Sequence, residues 1–108
     1  MPVTTERLCR ADDVAPGAAK RFDLGRHRIC LVRIGDDFYA IGDRCSHADF
    51  SLAEGEVWQD EREIECWKHG STFSLVTGEP QTLPATLPVP VYNVRVVDGD
   101  VLVEVTES

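Results

Sequence analysis

Short apolar runs separated by turn residues dominate this chain, and few stretches have the spacing of an amphipathic helix. The run over residues 29–34 is rich in β-branched side chains and apolar on both faces, which is typical of a central strand. Gly35-Asp36-Asp37 separates this run from a second apolar run, residues 38–41. Two apolar runs joined by three turn residues predict a β-hairpin.

A second hairpin is predicted near the C-terminus. Residues 91–97 and 101–105 are both rich in valine, and Asp98-Gly99-Asp100 lies between them. The valines of the second run alternate with more polar residues, so we expect this hairpin to be half-buried.

The middle of the chain predicts two shorter strands, residues 64–66 and 71–75, on either side of a tight loop. Gly and Pro recur at short intervals along the whole chain, and helix is expected only in small pieces, around residues 12–19 or 51–54. Many short strands with regular turn signals favour an all-β sandwich or barrel.

Length and composition indicate one small globular domain. The chain has 108 residues, of which 43% are apolar and 28% charged, and this argues against two independent cores and against disorder. No apolar stretch approaches the roughly 20 residues of a membrane span, and the first residues lack the basic and apolar blocks of a signal peptide. We therefore expect a cytoplasmic protein, in which cysteines are more commonly thiols or metal ligands than disulfides.

The chain is acidic, with a formal net charge of −8. Nucleic acid phosphates and anionic membrane surfaces would repel it, so we expect neither as a partner. Two interpretations of the charge stay open. It is either a solvated surface that keeps the protein soluble, or a surface that is steered toward a basic patch on a partner protein.

Two Cys–His pairs carry the candidate chemistry. Cys45-Ser46-His47 and Cys66-Trp67-Lys68-His69 each follow a predicted strand, and eighteen residues separate the first pair from the second. Chance is a poor explanation for two mixed pairs in a chain with three histidines and four cysteines. Two loops brought side by side would offer two thiolates and two imidazoles to one metal centre.

The remaining thiols and the third histidine lack such pairing. Cys9 and Cys30 fit the usual role of cysteine as a small buried hydrophobe. His27 stands between Arg26 and Arg28, with no thiol near it in sequence. We expect all three to be structural.

Two kinds of metal centre use two cysteines and two histidines. Structural zinc sites usually pair Cys with Cys and His with His at short spacing, whereas each pair here is mixed. Mixed pairs suit a cluster of two irons and two sulfides in which one iron takes both thiolates and the other takes both imidazoles. Neutral imidazoles make the cluster less negative, so it accepts an electron more readily. A zinc-stapled structural or interaction module stays open as the alternative.

The pattern Cys-x-His, a spacer of this length and Cys-x-x-His resembles the Rieske iron–sulfur family, and within it the small ferredoxins that serve ring-hydroxylating oxygenases. The flanking sequence agrees at residues 38–41, at Leu52-Ala53-Glu54-Gly55, at Gly70 and at residues 77–80. The resemblance covers residues 3–105 and implies a single Rieske domain over residues 1–108. That domain is a small antiparallel β-sandwich with a cluster-binding subdomain of two hairpin loops, here residues 43–84.

The resemblance implies a role for each residue of the two pairs. Cys45 and Cys66 would bind the inner iron as thiolates, while His47 and His69 would bind the outer iron as neutral imidazoles. The cofactor would be one Rieske-type [2Fe-2S] cluster per chain. The stiff segment over residues 84–88 resembles the third, proline-containing loop that shields the cluster in this family.

Two further residues are candidates for the surroundings of the cluster. Ser71 would donate a hydrogen bond to a sulfide or thiolate, and Trp67 would cover the cluster and exclude water. The alternatives are an ordinary turn hydroxyl for Ser71 and plain loop packing for Trp67.

Two departures from the respiratory branch of the family bear on the reduction potential. That branch has an additional Cys in each ligand loop, and the matching positions in residues 48–50 and 67–68 carry none. It also keeps a Ser and a Tyr after the second loop. Ser71 matches the Ser, but Phe73 stands at the Tyr position and has no hydroxyl. Fewer donors to sulfur stabilise the reduced state less, so we expect the low end of the range of roughly −150 to +300 mV.

The function implied is that of a one-electron carrier with no catalytic residues of its own. Its partners would be a flavin-dependent NAD(P)H reductase and a terminal oxygenase or another redox enzyme, and we expect a monomer. Besides the zinc module, the alternatives are the small subunit of a nitrite-reductase-like complex and a role in iron–sulfur assembly. Many nitrite-reductase subunits have lost the ligands, whereas this chain keeps all four.

Overall fold

Antiparallel β-strands make up most of the described structure. The computed structural model describes residues 3–25, 27–44, 51–66, 70–81 and 87–106. Within these ranges, no helix has both the length and the apolar character that crossing a membrane requires.

Ten strands and two short 3-10 turns are formed in the described residues. The first five strands are β1 (Val3–Arg10), β2 (Ala19–Leu24), β3 (His27–Ile34), β4 (Asp37–Gly42) and β5 (Val57–Trp58). The other five are β6 (Glu63–Glu65), β7 (Thr72–Ser74), β8 (Val91–Tyr92), β9 (Val94–Val97) and β10 (Asp100–Thr106). The 3-10 turns cover Ala11–Asp13 and Leu52–Glu54.

The strands form three antiparallel sheets, in agreement with the expected all-β fold. The first sheet has the order β1-β10-β9, the second has β2-β3-β4-β8 and the third has β5-β6-β7. Pairing of β1 with β10 joins the two ends of the described chain, with Thr4 opposite Val105. The second and third sheets are built mainly from hairpins, in which strands that are consecutive in the chain pair with each other.

Strand β3 divides the hydrophobic core because both of its faces are buried. Cys30 and Val32 belong to what we call the first core cluster, and Ile29 and Leu31 belong to the second. The first core cluster also contains Ile41, Leu52, Ile64, Cys66, Phe73, Leu75 and Val89. The second also contains Cys9, Val14, Ala40, Val101, Val103 and Val105. The expected central strand with two apolar faces is thus confirmed.

The two predicted hairpins differ in how closely the structure follows them. The first is confirmed, because β3 and β4 pair with Ile34 opposite Asp37 across the turn. In the second, β9 and β10 pair as expected, and the alternating valines of β10 are buried. However, residues 91–97 do not form one strand: β8 pairs with β4 instead. The Asn93 carbonyl accepts a hydrogen bond from the Glu104 N–H (2.9 Å), so the chain stays attached to β10 as it passes between sheets.

The hydrophobicity pattern does not predict two of the strands, because their sequences are polar. The short helical pieces are smaller than expected. β1 and β2 each carry three charged residues, and pairing with β10 and β3 stabilises them in the extended conformation. The expected piece over residues 51–54 is a 3-10 turn. The piece over residues 12–19 is only the turn Ala11–Asp13, after which β2 begins at Ala19.

Candidate metal centre

The second Cys–His pair lies between β6 and β7, in a loop that backbone hydrogen bonds close tightly. The Cys66 N–H donates to the Ser71 carbonyl (2.7 Å), and the Gly70 N–H donates to the Cys66 carbonyl (2.9 Å). Gly70 has φ 76°, a left-handed conformation that favours glycine and that this reversal of the chain requires. Cys66 and Ser71 are fully buried. The structure therefore brings a buried thiol and a buried hydroxyl together at the base of one loop.

Four of the predicted site residues lie outside the residues that the structure describes. Trp67 and His69 lie outside the described residues, and so do Cys45 and His47 of the first pair. What the structure provides for these four residues is the geometry of the chain on either side of them.

The segment that holds the first pair starts and ends at one antiparallel pairing. Arg44 forms a β-bridge with Ser51. The Leu52 N–H donates to the Asp43 carbonyl (2.6 Å). The chain just before residues 45–50 is therefore paired with the chain just after them, in continuation of β4.

The Asp43 side chain reinforces this closure from inside the protein. Its carboxylate is completely buried, and it accepts hydrogen bonds from the Ser51 hydroxyl (2.6 Å) and from the Ala53 N–H (2.9 Å). Nitrogens of Arg21 and Arg28 each lie 3.8 Å from the Asp43 Oδ2 atom. A buried carboxylate with two donors and two neighbouring guanidinium groups has compensation for the solvation that it loses on burial.

The two ligand segments rest on the same part of the core. Leu52, which follows the first segment, and Cys66, which begins the second, both belong to the first core cluster. Between them, the Glu65 N–H donates to the Glu56 carbonyl (2.8 Å). A side chain at Gly55 would collide with the carbonyl of Glu65, so the absence of a Cβ allows these backbones to come together. Packing thus brings the bases of both loops to one region.

A third segment, expected to shield the cluster, is anchored beside these loops. Residues 82–86 lie outside the described residues, but the chain on both sides is described. Before them, the Gln81 N–H donates to the Thr72 carbonyl (2.7 Å). After them, Val89 is buried in the first core cluster, and the Gly42 N–H donates to the Pro90 carbonyl (2.8 Å). The chain before the proline-containing segment is therefore hydrogen-bonded to β7, and the chain after it to β4.

The residues expected to be structural are placed accordingly. Cys9 and Cys30 are free buried thiols, one in each core cluster. Burial, with a smaller effect of the nearby Asp43 carboxylate, raises the pKa of Cys30 far above its ordinary value, so this thiol stays protonated. His27 is half-buried, with its Nδ1 atom 3.3 Å from the Tyr92 hydroxyl. Burial also raises the pKa of Tyr92.

The described residues fit a metal–sulfur centre held at loop ends. Within them, no group of three or more His, Cys, Asp or Glu side chains is arranged to hold a metal ion. The buried thiol of Cys66 is instead at the start of a closed loop, over a core that excludes water. Thiolates are the soft donors that iron–sulfur centres use, and the solvent access around them is one of the factors that set the reduction potential.

Comparison with known proteins identifies the family. A family model described as the Rieske [2Fe-2S] domain matches residues 4–93. The chain belongs to the Rieske family. Like other members it carries a Rieske-type [2Fe-2S] cluster, and the resemblance read from the two Cys–His pairs is confirmed.

Three proteins that are similar to this Rieske protein are ferredoxins. The 3-phenylpropionate/cinnamic acid dioxygenase ferredoxin subunit of Escherichia coli (strain K12) is 41% identical over 100 residues, which are 93% of this chain and 92% of that protein. Among solved structures, the ferredoxin of carbazole 1,9a-dioxygenase from Nocardioides aromaticivorans IC177 has a TM-score of 0.89 and 39% identity, covering 93% of this chain and 96% of that chain. A ferredoxin solved in complex with the oxygenase of carbazole 1,9a-dioxygenase has a TM-score of 0.84 and 39% identity, covering 92% and 91%.

These relatives decide the class of function. The Rieske protein described here is a ferredoxin, an electron carrier rather than a catalytic subunit. The zinc module and the nitrite-reductase-like subunit are not favoured by relatives that are ferredoxins of dioxygenase systems.

Three residues that matter for the site were not singled out from the sequence: Asp43, Ser51 and Gly55. Asp43 stands two positions before Cys45, and this proximity is the only signal that the sequence offers. Its burial and its hydrogen bond to Ser51 depend on how the folded chain packs, which the sequence pattern does not show. Gly55 was noted only as part of the spacer, because a close backbone contact leaves no trace in a hydrophobicity pattern.

Proposed function

We propose that Cys45, His47, Cys66 and His69 are the four ligands of the cluster. The two cysteines would bind one iron as thiolates and the two histidines the other as neutral imidazoles. One observation carries this proposal: both ligand segments are closed by backbone hydrogen bonds at their bases, and both bases rest on the first core cluster. Two closed loops on a shared core offer one ligand of each kind from each side.

The whole chain acts as one domain in this proposal, with residues 43–84 as its cluster-binding part. When bound, the cluster takes up and releases one electron. The protein's own residues hold the ligand loops and exclude water from the thiolate side, where Leu52, Ile64 and Phe73 are fully buried. Ser71 donates a hydrogen bond to a sulfur of the cluster, and Trp67 covers it.

The electron partners follow from the kinds of systems in which the relatives work. The chain receives electrons from a flavin-dependent NAD(P)H reductase and passes them to the terminal oxygenase of a ring-hydroxylating dioxygenase system. A ferredoxin 39% identical to this chain has been solved in complex with its oxygenase, which supports the second half of this route. The carrier works as a monomer in the cytoplasm, where its free buried thiols stay reduced.

Electron paramagnetic resonance of the reduced protein tests the ligand set. Histidine ligation on one iron gives a rhombic signal with an average g value below that of all-cysteine clusters of two irons. Iron and acid-labile sulfide should both be found at two per chain, as one [2Fe-2S] cluster requires. A colourless protein with one zinc per chain would contradict the proposal.

Two cysteine variants separate a ligand from a structural thiol. Cys66→Ala should abolish the rhombic signal, because the inner iron loses a thiolate. Cys30→Ala is the matched control, since Cys30 is equally buried in the same core cluster and should leave the signal in place. Loss of the signal in both variants would point to collapse of the core rather than to ligation.

A further inference from the structure

The Asp43 carboxylate is the most deeply buried charged group among the described residues, and it lies at the entrance to the first ligand segment. It is completely inaccessible to solvent, whereas the other buried polar side chains, Ser51, Ser71 and Thr72, are neutral. Hydrophobic residues of similar volume can often replace a buried ion pair at no loss of stability, so stability alone does not explain a buried carboxylate at this place. The contacts of Asp43 therefore call for a functional explanation.

All the hydrogen bonds of Asp43 described here go to the two sides of the ligand segment or to the strand beneath it. Its N–H donates to the Arg28 carbonyl on β3 (2.9 Å), which attaches the segment to the second sheet. Its carbonyl and both carboxylate oxygens accept hydrogen bonds from three consecutive residues on the other side of the segment: Leu52 N–H (2.6 Å), Ser51 hydroxyl (2.6 Å) and Ala53 N–H (2.9 Å). One residue thus fixes the distance between the two ends of residues 45–50.

Two arginines partly balance the negative charge of the Asp43 carboxylate. Arg21 and Arg28 come from neighbouring strands, β2 and β3, and each has a nitrogen 3.8 Å from the Asp43 Oδ2 atom. Both guanidinium side chains are partly exposed, at 42% and 32%. The carboxylate therefore places one negative charge inside the protein, two residues from Cys45, and the two positive charges are at the solvent side of it.

We propose that Asp43 is the positioning residue of the first ligand loop and that its buried charge contributes to the reduction potential of the cluster. This inference rests on the proposed ligands Cys45 and His47. The two hydrogen bonds to Ser51 and Ala53 hold the loop ends together, which orients the ligands between them. The negative charge of the carboxylate disfavours uptake of an electron nearby, so the potential is lower with Asp43 than with a neutral residue of the same shape at this position.

Two variants separate the geometric contribution from the electrostatic one. In Ser51→Ala, one hydrogen bond is lost and the carboxylate keeps its charge. We expect iron to be lost to a ferrous chelator about tenfold faster, the lower end of the effect of residues that orient metal ligands, with little change in midpoint potential. In Asp43→Asn, the side chain keeps its shape and loses its charge. We expect an equally fast loss of iron and, in addition, a higher midpoint potential.

Asp23→Asn is the matched control. Asp23 is an exposed carboxylate that also pairs with Arg21 (3.2 Å), so its removal takes away a negative charge beside the same guanidinium without touching the loop. This variant should have the iron-loss rate, g values and potential of the wild type. The double variant Asp43→Asn/Ser51→Ala should lose iron no faster than Asp43→Asn alone, because both changes act on one interaction.

The result that would overturn the inference is a wild-type iron-loss rate in Ser51→Ala together with a wild-type potential in Asp43→Asn. In Asp43→Asn, a lower unfolding midpoint with an unchanged iron-loss rate, potential and g values would also overturn it, because that is the outcome of a purely structural role. If Asp43→Asn does not fold, the iron-loss rate of Ser51→Ala decides alone. Failure of the proposed ligands looks different, since the wild type itself would then lack the rhombic signal.

Discussion

At the scale of single residues, Gly55 shows that a close backbone contact can require glycine even where the backbone angles are ordinary. Its φ of −87° and ψ of −177° are extended values that any residue adopts. What the position excludes is a Cβ, because the carbonyl of Glu65 occupies the space that it would need. Gly55 therefore sets the distance between the spacer and the strand that leads to Cys66.

The substitution Gly55→Ala should lower the free energy of unfolding by about 1–3 kcal/mol, the usual cost of forcing extra atoms into a packed region. It should also speed the loss of iron, since the two ligand segments are pushed apart. Urea unfolding of the cluster-loaded protein measures the first effect. Glu54→Ala, at the exposed neighbouring position, is the control and should change stability by no more than about 0.5 kcal/mol.

The buried hydroxyl of Ser71 should raise the reduction potential. If it donates to a sulfur, its hydrogen bond strengthens as the cluster becomes more negative on reduction. A difference of about 1.4 kcal/mol corresponds to about 59 mV for one electron, so Ser71→Ala should lower the midpoint potential by roughly that amount.

Redox titration followed by the visible spectrum measures this shift in potential. Ser74→Ala serves as the comparison, because the Ser74 hydroxyl accepts hydrogen bonds from the Val76 and Thr77 N–H groups (both 3.2 Å) in an exposed turn. Equal potentials in wild type and Ser71→Ala would show that the Ser71 hydroxyl has no bond to sulfur.

At the scale of elements, the pairing of β1 with β10 ends in a small group of charges. Asp100 on β10 accepts a hydrogen bond from the Arg7 guanidinium (3.0 Å), and Arg10 lies 3.4 Å from the same oxygen. The Arg7 hydrogen bond is the main reason why the pKa of Asp100 is below its ordinary value. A carboxylate with a lowered pKa stabilises the folded state above the unfolded pKa, and this contribution disappears as the pH falls through the folded pKa.

Asp100→Asn should therefore lower the unfolding temperature at neutral pH and have progressively less effect below a pH of about 4. Thermal unfolding of wild type and variant across this range measures the difference, in which effects of acid on the cluster cancel. Asp60→Asn, on the exposed turn before β6, is the control and should track the wild type. A difference between Asp100→Asn and wild type that grows on acidification would contradict the assignment.

The elements also show how much of the fold can be predicted from the sequence alone. β3, β4 and β10 were predicted because burial of one or both faces imposes a pattern on their own residues. β1 and the break at Asn93 were missed, because pairing with distant strands determines them. The two Cys–His pairs predicted the cofactor from spacing alone, whereas Asp43 and Gly55 act through contacts with residues 8 and 10 positions away.

At the scale of the whole molecule, the net charge of −8 governs how the carrier meets other proteins. Long-range attraction to a basic surface raises the rate of encounter, and salt reduces it because the Debye length falls from about 10 Å at 0.1 M to about 3 Å at 1 M. An electron carrier benefits from such an encounter, since it must bind and leave quickly.

Electron transfer from the reduced protein to cytochrome c, a basic haem protein, should slow about tenfold or more between low and high ionic strength. Stopped-flow absorbance at the haem bands measures the rate. Ferricyanide, a small anion, provides the opposite case, and its reduction should speed up with salt because repulsion is screened. The same salt dependence for both acceptors would show that the charge of the carrier has no part in the encounter.

The spacer between the two ligand pairs has one part whose length is fixed by contacts and one part whose length can vary. Residues 51–56 are held by Asp43 and by the Glu65 backbone, so an insertion there would displace the metal ligands. Residues 59–61, at the far end of the β5–β6 hairpin, are exposed to solvent. Descendants of this chain can lengthen or shorten that tip without moving either ligand loop. The spacing of eighteen residues between the two Cys–His pairs thus depends on the length of the β5–β6 hairpin. A sequence pattern that demanded this number would reject proteins with the same metal centre.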